Sequence, residues 1–215
     1  MSVSTEDFLK SIYQLKVDYG HKASSSNLAK RLGISHAAVT DMAKKLSSKG
    51  LIIYQKYKEI SLTPEGKKLA LRVVRRHRLW ESFLSKVLDI SAQEIHQEAE
   101  VLEHQSSEFL IDKIDEFLGH PEFDPHGDPI PDARGKLPPM NTILLQKGIT
   151  GNEYTVSRIQ FNTPEVHDFF TRNGIKLGGR IRVREIFKDD GSMSVEVNKK
   201  QIILNEKFTQ YIHII

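Results

Sequence analysis

Apolar residues recur at helical spacing in three segments near the start of the chain. The segments cover 4–16, 24–34 and 36–49, and a glycine follows or ends each one. Residues 51–63 then predict two short strands around a basic tip. A helix, two helices joined by a glycine-containing turn, and a basic hairpin predict a winged helix-turn-helix.

The next apolar pattern predicts two longer helices. The first opens at Thr63-Pro64 and runs to about Lys86, and the second covers about 91–118. These two helices carry more apolar surface than they can bury against each other and one small winged helix. We therefore expect a second copy of the chain to cover the excess, giving a homodimer with two DNA-reading heads.

In the remaining third of the chain the spacing of apolar residues changes from a helical to a strand pattern. A stretch dense in Pro, Gly and Asp at 120–139 predicts irregular chain, and short apolar segments after it predict β-strands with one helix at about 164–173. The fold class we predict is mainly α with a β C-terminal part that forms a small β-barrel. We expect three domains: a winged helix-turn-helix at 1–63, a helical dimerisation domain at 64–140 and a small β domain at 141–215.

Charge and composition narrow the function. Residues 1–80 hold 16 Lys/Arg against 6 Asp/Glu, a balance of +10, whereas residues 81–215 hold 15 against 22, a balance of −7, together giving +3. A basic first third favours a polyanion such as double-stranded DNA, although a solvated basic face remains an alternative. The absence of Cys excludes disulfides and thiolate metal sites. No apolar run of about 18 residues occurs, so we expect a cytoplasmic protein without a membrane partner.

A stripe of potential metal ligands lies on the second long helix. His96, Glu100, Glu103 and His104 fall within an arc of about 100° on one helix face. A His and a Glu at the same i, i+4 spacing, at positions 77 and 81, stand on the helix before. Imidazole and carboxylate together suit a divalent transition metal. A solvated charged face is the alternative for any one of these residues, but the repeated spacing favours metal binding.

These features, taken in order, resemble the diphtheria toxin repressor family of metal-dependent transcription regulators, including its manganese transport regulator branch. The resemblance covers nearly the full length and implies a DNA-binding domain at 1–63, a metal-binding and dimerisation domain at 64–140 and an SH3-like third domain at 141–215. The motifs that carry it are STEDFLKSIYQL, ISHAAVTDMAKKL, GLI with LTPEGKKLA, RRHRLWESFL, IHQEAEVLEH and HGDPIP.

The resemblance implies two metal sites. One would join the first helix to the later one and use Asp7, Glu100, Glu103 and His104. The other would use His77, Glu81 and His96, helped by a polar residue of the third domain, for which the nearby residues are Gln160, Glu165 and His167. In the manganese branch a further first-helix carboxylate helps to build a two-metal cluster, and Lys10 stands at that position here.

The ligand types also bear on the identity of the metal. Iron-responsive members of the family typically offer Met and Cys at two positions where this chain has Asp7 and Glu100. Hard oxygen donors favour Mn(II), whereas sulfur favours softer ions. We therefore expect Mn(II) as the cofactor, with Fe(II) as the alternative.

The third helix is the predicted recognition helix, because the first turns of such a helix reach the edges of bases in the major groove. A dimer would read a roughly palindromic operator, and the resemblance implies that the operator controls metal-ion homeostasis genes. The residues we expect at bases, phosphates or the DNA backbone are Ser35, His36, Ala37, Ala38, Thr40, Asp41, Lys44, Lys56 and Lys58.

Two other classes of function compete with a metal-dependent repressor. A metalloenzyme would need a repeated ligand motif or a general base, and the sequence offers neither in an obvious position. A DNA-binding regulator that responds to a non-metal ligand would leave the His/Glu stripe inert. Metal titration distinguishes a regulator with a non-metal ligand from a metal-dependent repressor. A screen for turnover distinguishes a metalloenzyme from a repressor.

Overall fold

The computed structural model describes residues 3–90, 94–160 and 164–215. Within them the chain forms two compact units, which we describe separately. The first unit is formed by the described residues within 1–80, 98–120 and 130–137, and the second by those within 81–97, 121–129 and 138–215.

The first unit contains the winged helix-turn-helix that the sequence predicts. A short π-helical turn, Gln14–Asp18, extends the first helix. The wing is an antiparallel pair in which Ile52 faces Leu62. The elements are α1 Val3–Tyr13, α2 Ser25–Leu32, α3 His36–Ser48, β1 Ile52–Ile53 and β2 Ser61–Leu62.

Local signals in the sequence set the ends of the two helices of the helix-turn-helix. The Ser24 hydroxyl accepts a hydrogen bond from the Asn27 amide at 3.2 Å, and the Ser35 hydroxyl accepts one from the Ala38 amide at 3.1 Å. Both serines thus cap their helices. Gly33 ends α2 in the left-handed conformation with φ of 64°, which glycine adopts without strain. The turn between the helices is therefore built by residues that need no distant contact.

The long helix α4, Pro64–Leu88, follows the wing after a single residue. Gly66 in its first turn lies against the backbone of Leu51, and a Cβ added to Gly66 would overlap the Leu51 carbonyl oxygen. Only glycine permits this approach. The core of this part is built from apolar residues of all three helices, the wing and α4, among them Phe8, Leu9, Ile12, Leu28, Leu46, Ile60 and Val74.

The helix that we predicted at about 91–118 is two helices, so that prediction was wrong in its continuity. They are α5, Ile95–Gln105, and α6, Glu108–Phe117, while residues 91–93 lie outside the described part of the chain. Ser107 separates them, and its hydroxyl accepts a hydrogen bond from the Leu110 amide at 3.2 Å. An N-cap serine here starts a new helix, although the apolar period continues across the break.

The second unit carries a six-stranded antiparallel sheet in the order β3-β8-β4-β5-β6-β7. This sheet confirms the predicted SH3-like β domain. Its apolar side packs with the helix that we predicted at about 164–173 to form one core. The elements are β3 Ile143–Leu144, β4 Glu153–Ile159, α7 Pro164–Arg172, β5 Arg180–Ile186, β6 Met193–Val197, β7 Lys200–Leu204, α8 Glu206–Thr209 and β8 Ile212–Ile214.

Candidate metal centre and DNA-reading surface

The first unit brings α1 and α5 together at a group of four potential metal ligands. Asp7 of α1 meets Glu100, Glu103 and His104 of α5, and one ligand atom from each residue lies within 4.8 Å of all the others. Glu103 is fully buried at 0 % exposure. Three carboxylates and one imidazole fit a hard or borderline divalent cation. This is the first of the two sets that the family resemblance implies.

One further residue of the first unit, Glu6, holds the His104 ring from its other side. Nδ1 of His104 lies 2.7 Å from Glu6 Oε2, and Nε2 lies 2.8 Å from Asp7 Oδ1. Arg76 in turn donates to Glu6 Oε1 at 2.8 Å. A carboxylate on the second nitrogen of a ligating histidine orients the ring. Sequence reasoning missed Glu6, although its position beside Asp7 on α1 was a usable signal.

Burial raises the pKa of the Asp7 carboxyl above its ordinary value, and the neighbouring His104 and Lys10 charges oppose that rise. Desolvation penalises the charged form of a carboxyl group, whereas nearby cations favour it. Any positive charge brought to this cluster therefore stabilises the ionised form of the Asp7 carboxyl. A divalent cation would supply such a charge.

Lys10 enters the same cluster as a buried cation. Its ammonium nitrogen lies 2.6 Å from Glu103 Oε1 and 2.7 Å from Glu100 Oε1. The second oxygen of Glu103, Oε2, lies 2.6 Å from His77 Nδ1. Both oxygens of the buried Glu103 carboxylate are thus engaged by cationic or polar side chains. The sequence placed Lys10 at a family ligand position but gave no sign of these contacts.

The other predicted set divides between the two units. His77 belongs to the first unit, whereas Glu81 and His96 belong to the second. Within the second unit Glu81 Oε1 lies 3.1 Å from His96 Nδ1 and 3.9 Å from His126 Nε2. Sequence reasoning missed His126, because its motif HGDPIP lies in a stretch assigned to irregular chain. The set of His77, Glu81 and His96 stays a prediction.

The three residues offered as third-domain helpers occupy different surroundings in the second unit. Gln160 is buried, and its backbone amide donates to the Tyr211 carbonyl at 2.8 Å. Glu165 is exposed on α7, and His167 Nδ1 lies 3.6 Å from the neighbouring Asp168 Oδ1. These contacts assign none of the three to a metal site. Their role stays a prediction.

The predicted recognition helix, α3, presents its expected DNA-facing residues to solvent. Thr40 is half-buried, and its hydroxyl donates to the His36 carbonyl at 3.0 Å. Buried Val39 and Ala43 hold the opposite face of α3 in the core. The other predicted contact residues on this surface are exposed, namely Ser35, His36, Ala37, Ala38, Asp41 and Lys44.

The tip of the wing carries both predicted phosphate-binding lysines, and both are exposed. Between them Tyr57 is 93 % exposed with φ of 67°, and the Lys56 ammonium lies 4.9 Å from the centre of its ring. A tyrosine in the left-handed region is uncommon. Tyr57 is a further candidate contact that sequence reasoning missed, because only the lysines were considered.

Three family models match successive parts of the chain. Residues 1–60 match the N-terminal DNA-binding domain of iron-dependent repressors, residues 63–132 match their metal-binding and dimerisation domain, and residues 144–215 match the FeoA domain. An HTH-type transcriptional regulator MntR from Lysinibacillus sphaericus (strain C3-41) is 38% identical over 111 residues, which are 52% of this chain and 78% of that protein.

The chain belongs to the diphtheria toxin repressor family of metal-dependent transcription regulators. A solved structure of a manganese-dependent transcriptional repressor in complex with manganese shares 36% identity with a TM-score of 0.91, covering 98% of this chain and 99% of that one. The structure of the manganese regulator SloR shares 31% identity with a TM-score of 0.85, covering 100% and 99%.

Membership of the diphtheria toxin repressor family settles the class of function. The chain is a DNA-binding transcription regulator with a metal-binding and dimerisation domain, and the predicted family is confirmed. Proteins of this family are repressors and not enzymes, so the metalloenzyme alternative is rejected. Among the described residues, no helix is both long and apolar enough to cross a membrane.

Proposed function

We propose that this chain is a Mn(II)-activated repressor of metal-ion homeostasis genes. The observation that carries the proposal is the ligand group of Asp7, Glu100, Glu103 and His104, which joins the first helix of the DNA-reading part to α5. Fe(II) is the second candidate metal, supported by the iron-dependent repressor models that match the chain.

Manganese is favoured by the chemistry of the donors. The group offers oxygen and imidazole nitrogen, and the chain contains no Cys that could supply a thiolate. Oxygen-rich donor sets suit Mn(II), whereas soft sulfur ligands select other ions. The related repressor that was solved with manganese supports the same choice.

The cluster couples metal binding to DNA binding through electrostatics. Lys10 of α1 pairs with Glu100 and Glu103, but its single charge offsets only one of the three negative charges that Asp7 and these two glutamates bring together. The repulsion that remains without a metal ion acts on Asp7 and weakens the contact of its end of α1 with α5. These residues would hold a divalent ion whose positive charge would relieve the repulsion. Asp7 would then fix α1, and with it the recognition helix, against the dimerisation region. Coupling of this kind is reciprocal and is typically worth about 1–3 kcal/mol.

The DNA partner follows from the position of the basic residues. A homodimer would present two copies of α3 to a roughly palindromic operator in double-stranded DNA, with Lys56 and Lys58 on the phosphates. The protein would act in the cytoplasm. The set of His77, Glu81 and His96, with its third-domain helper among Gln160, Glu165 and His167, would hold a second metal ion that adds to activation.

The test is operator binding against free Mn(II), Fe(II) and Zn(II) for the wild type, Asp7→Ala and Glu103→Ala. We expect Mn(II) to raise operator affinity at least tenfold in the wild type and to have little effect on either variant, since a coupling of 1.4 kcal/mol corresponds to a factor of ten. Glu98→Ala removes an exposed carboxylate of the same helix and serves as the matched control. Equal affinity with chelator and with every metal would reject a metal switch and favour the non-metal ligand.

A further inference from the structure

A cleft in the first unit is lined by four basic side chains from two separate segments. Lys68, Arg72 and Arg75 stand at i, i+4 and i+7 of α4, so they share one face of that helix. Arg134 comes from the turn at 132–136. The side chains of Lys68, Arg72 and Arg134 are exposed and pair with no carboxylate in the described part of the chain. Three cationic groups at this cleft are therefore available to a ligand.

The turn that carries Arg134 is fixed by its own hydrogen bonds. Oδ1 of Asp132 accepts from the backbone amide of Arg134 at 2.9 Å and from that of Lys136 at 2.8 Å. Gly135 has φ of 80° and lies beside the Leu71 side chain of α4. The backbone at Arg134 is thus held against the helix that carries the other three cations.

Arg75 is the buried member of the lining. It is 4 % exposed, and its Nη2 lies 2.9 Å from Oδ2 of Asp115 and 3.0 Å from Oδ1 of Asp112. These two aspartates balance the charge of Arg75, but Nε and Nη1 of the same guanidinium are buried without a hydrogen-bond partner among the described residues. Burying a donor without an acceptor costs free energy, and arginine cannot lose its proton to avoid that cost. An acceptor that enters the cleft would therefore be favoured.

The charges at the opening of the cleft favour an anion. The three exposed cations face two carboxylates in the lining, those of Glu108 and Asp132. Asp132 is engaged by the amides of its own turn, and Oε1 of Glu108 lies 3.9 Å from Nη1 of Arg76, which is a further cation. The remaining charge is positive. A tetrahedral oxyanion can accept from cations on several sides, and guanidinium groups are preferred partners of phosphate.

We propose that this cleft binds a phosphate group, either as inorganic phosphate or as a phosphate monoester. Arg72 would hold the group from α4, and Arg134 would hold it from the turn. The exposed side chains at the opening would turn outward to admit it toward Arg75. The bound group would tie the turn to α4, the helix that also carries His77. The site shares no residue with the metal cluster or with the recognition helix, so it is a separate binding site on the same chain.

The experiment titrates the metal-free whole chain with inorganic phosphate and follows its thermal unfolding, because a ligand of the folded state raises the unfolding temperature. Sodium chloride at equal ionic strength is the reference. We expect a saturable rise for the wild type and an affinity about tenfold lower for the double variant Arg72→Gln, Arg134→Gln. Lys30→Gln with Lys49→Gln removes two exposed cations elsewhere in the same unit, so it should keep the wild-type affinity within about twofold.

Nuclear magnetic resonance of the Arg75 Nε–H group locates the bound phosphate. Its signal should shift and saturate with phosphate in the wild type and in the lysine control, but not in the double arginine variant. A parallel titration with adenosine monophosphate distinguishes the sources: tighter binding than that of phosphate would identify a monoester as the ligand, and weaker or equal binding would identify free phosphate. An equal response to chloride, an unshifted Arg75 signal, or an unchanged affinity in the arginine variant would overturn the proposal.

Discussion

Arg78 and Asp18 form a buried ion pair within the first unit. Nη2 of Arg78 donates to Oδ2 of Asp18 at 2.9 Å, and both side chains are almost fully enclosed. The pair joins the middle of α4 to the π-helical turn after α1. It therefore fixes the helix that carries Asp7 relative to the helix that carries His77.

We expect Arg78→Met to lower the free energy of unfolding by about 3–5 kcal/mol, because it removes one partner of a buried ion pair. Urea denaturation of the metal-free protein measures the change. Lys113→Met is the matched control, since it breaks the exposed Lys113–Glu116 pair and should alter stability far less. An equal decrease in the free energy of unfolding of the two variants would mean that the buried Arg78–Asp18 pair contributes no more to stability than an exposed pair.

The two N-cap serines separate stability from DNA recognition. Ser24→Ala and Ser35→Ala each remove a capping hydroxyl, so each should lower the free energy of unfolding by about 1 kcal/mol. Only Ser35 lies at the start of the recognition helix. Operator affinity, measured by fluorescence anisotropy on fully folded protein, should therefore drop several-fold for Ser35→Ala and stay within about twofold for Ser24→Ala. An equal decrease in operator affinity for both variants would show that Ser35 does not contact the DNA.

Replacing Lys56 and Lys58 with Gln should weaken binding to all DNA sequences alike. Each phosphate contact contributes about 0.9 to the slope of log affinity against log salt, so the slope should fall by close to 2. The measurement is a salt titration of operator and non-specific DNA. Gln at the exposed Lys188 and Lys199 of the β domain is the control. An unchanged slope would count against phosphate contacts by the wing.

Apolar side chains exposed on α5 and α6 predict the dimer interface. Phe109 is 74 % exposed, and Val101, Leu110 and Phe117 are exposed in the same unit. Burial of a phenylalanine contributes about 2 kcal/mol, and symmetry doubles the effect, so Phe109→Asp should raise the dimer dissociation constant about thousandfold. Sedimentation velocity tests this with Ile203→Asp, an exposed position of the β domain, as control. A Phe109→Asp protein that stays dimeric would place the interface elsewhere.

The β domain should lose stability in mild acid through His213. Burial lowers the pKa of His213 to about 4, and the Arg158 charge acts in the same direction against Asp128. Because the folded-state pKa lies below the ordinary value of 6.5, the unfolded chain binds a proton at His213 more readily than the folded chain does. The free energy of unfolding is therefore unaffected by His213 above pH 6.5 and decreases as the pH falls from 6.5 toward 4. Unfolding followed at pH 7 and pH 4.5 should show a smaller acid loss for His213→Gln than for the wild type.

The elements of the fold were predictable because their signals are local. Cap residues, glycines and apolar spacing placed α2, α3 and the wing, and helical spacing put Glu100, Glu103 and His104 on one stripe. The break at Ser107 was missed because the apolar spacing continues across it, so only the cap marks the new helix. A periodic pattern reports which face of a helix is buried, but not where the helix stops.

The partners of the ligands could not be predicted for a different reason. Glu6 meets His104 across 98 positions of sequence, and Lys10 meets Glu103 across 93. Spacing within one helix carries no information about which residue of a distant helix it will face. Family resemblance supplied Asp7, because a motif names it. It supplied neither the ring contact of Glu6 nor the ammonium contacts of Lys10, which depend on how α1 packs against α5.

The direct junction between the wing and α4 makes the two move together. Only Thr63 separates β2 from α4, and the close approach of Gly66 to Leu51 keeps the connection stiff. From Pro64 to His77 the helix spans about 20 Å at 1.5 Å per residue. A tilt of about 5° at His77, where the ring contacts Glu103, moves Pro64 by roughly 2 Å over that length. A small change in the orientation of α4 at the ligands would thus displace the wing by a distance approaching the length of a hydrogen bond.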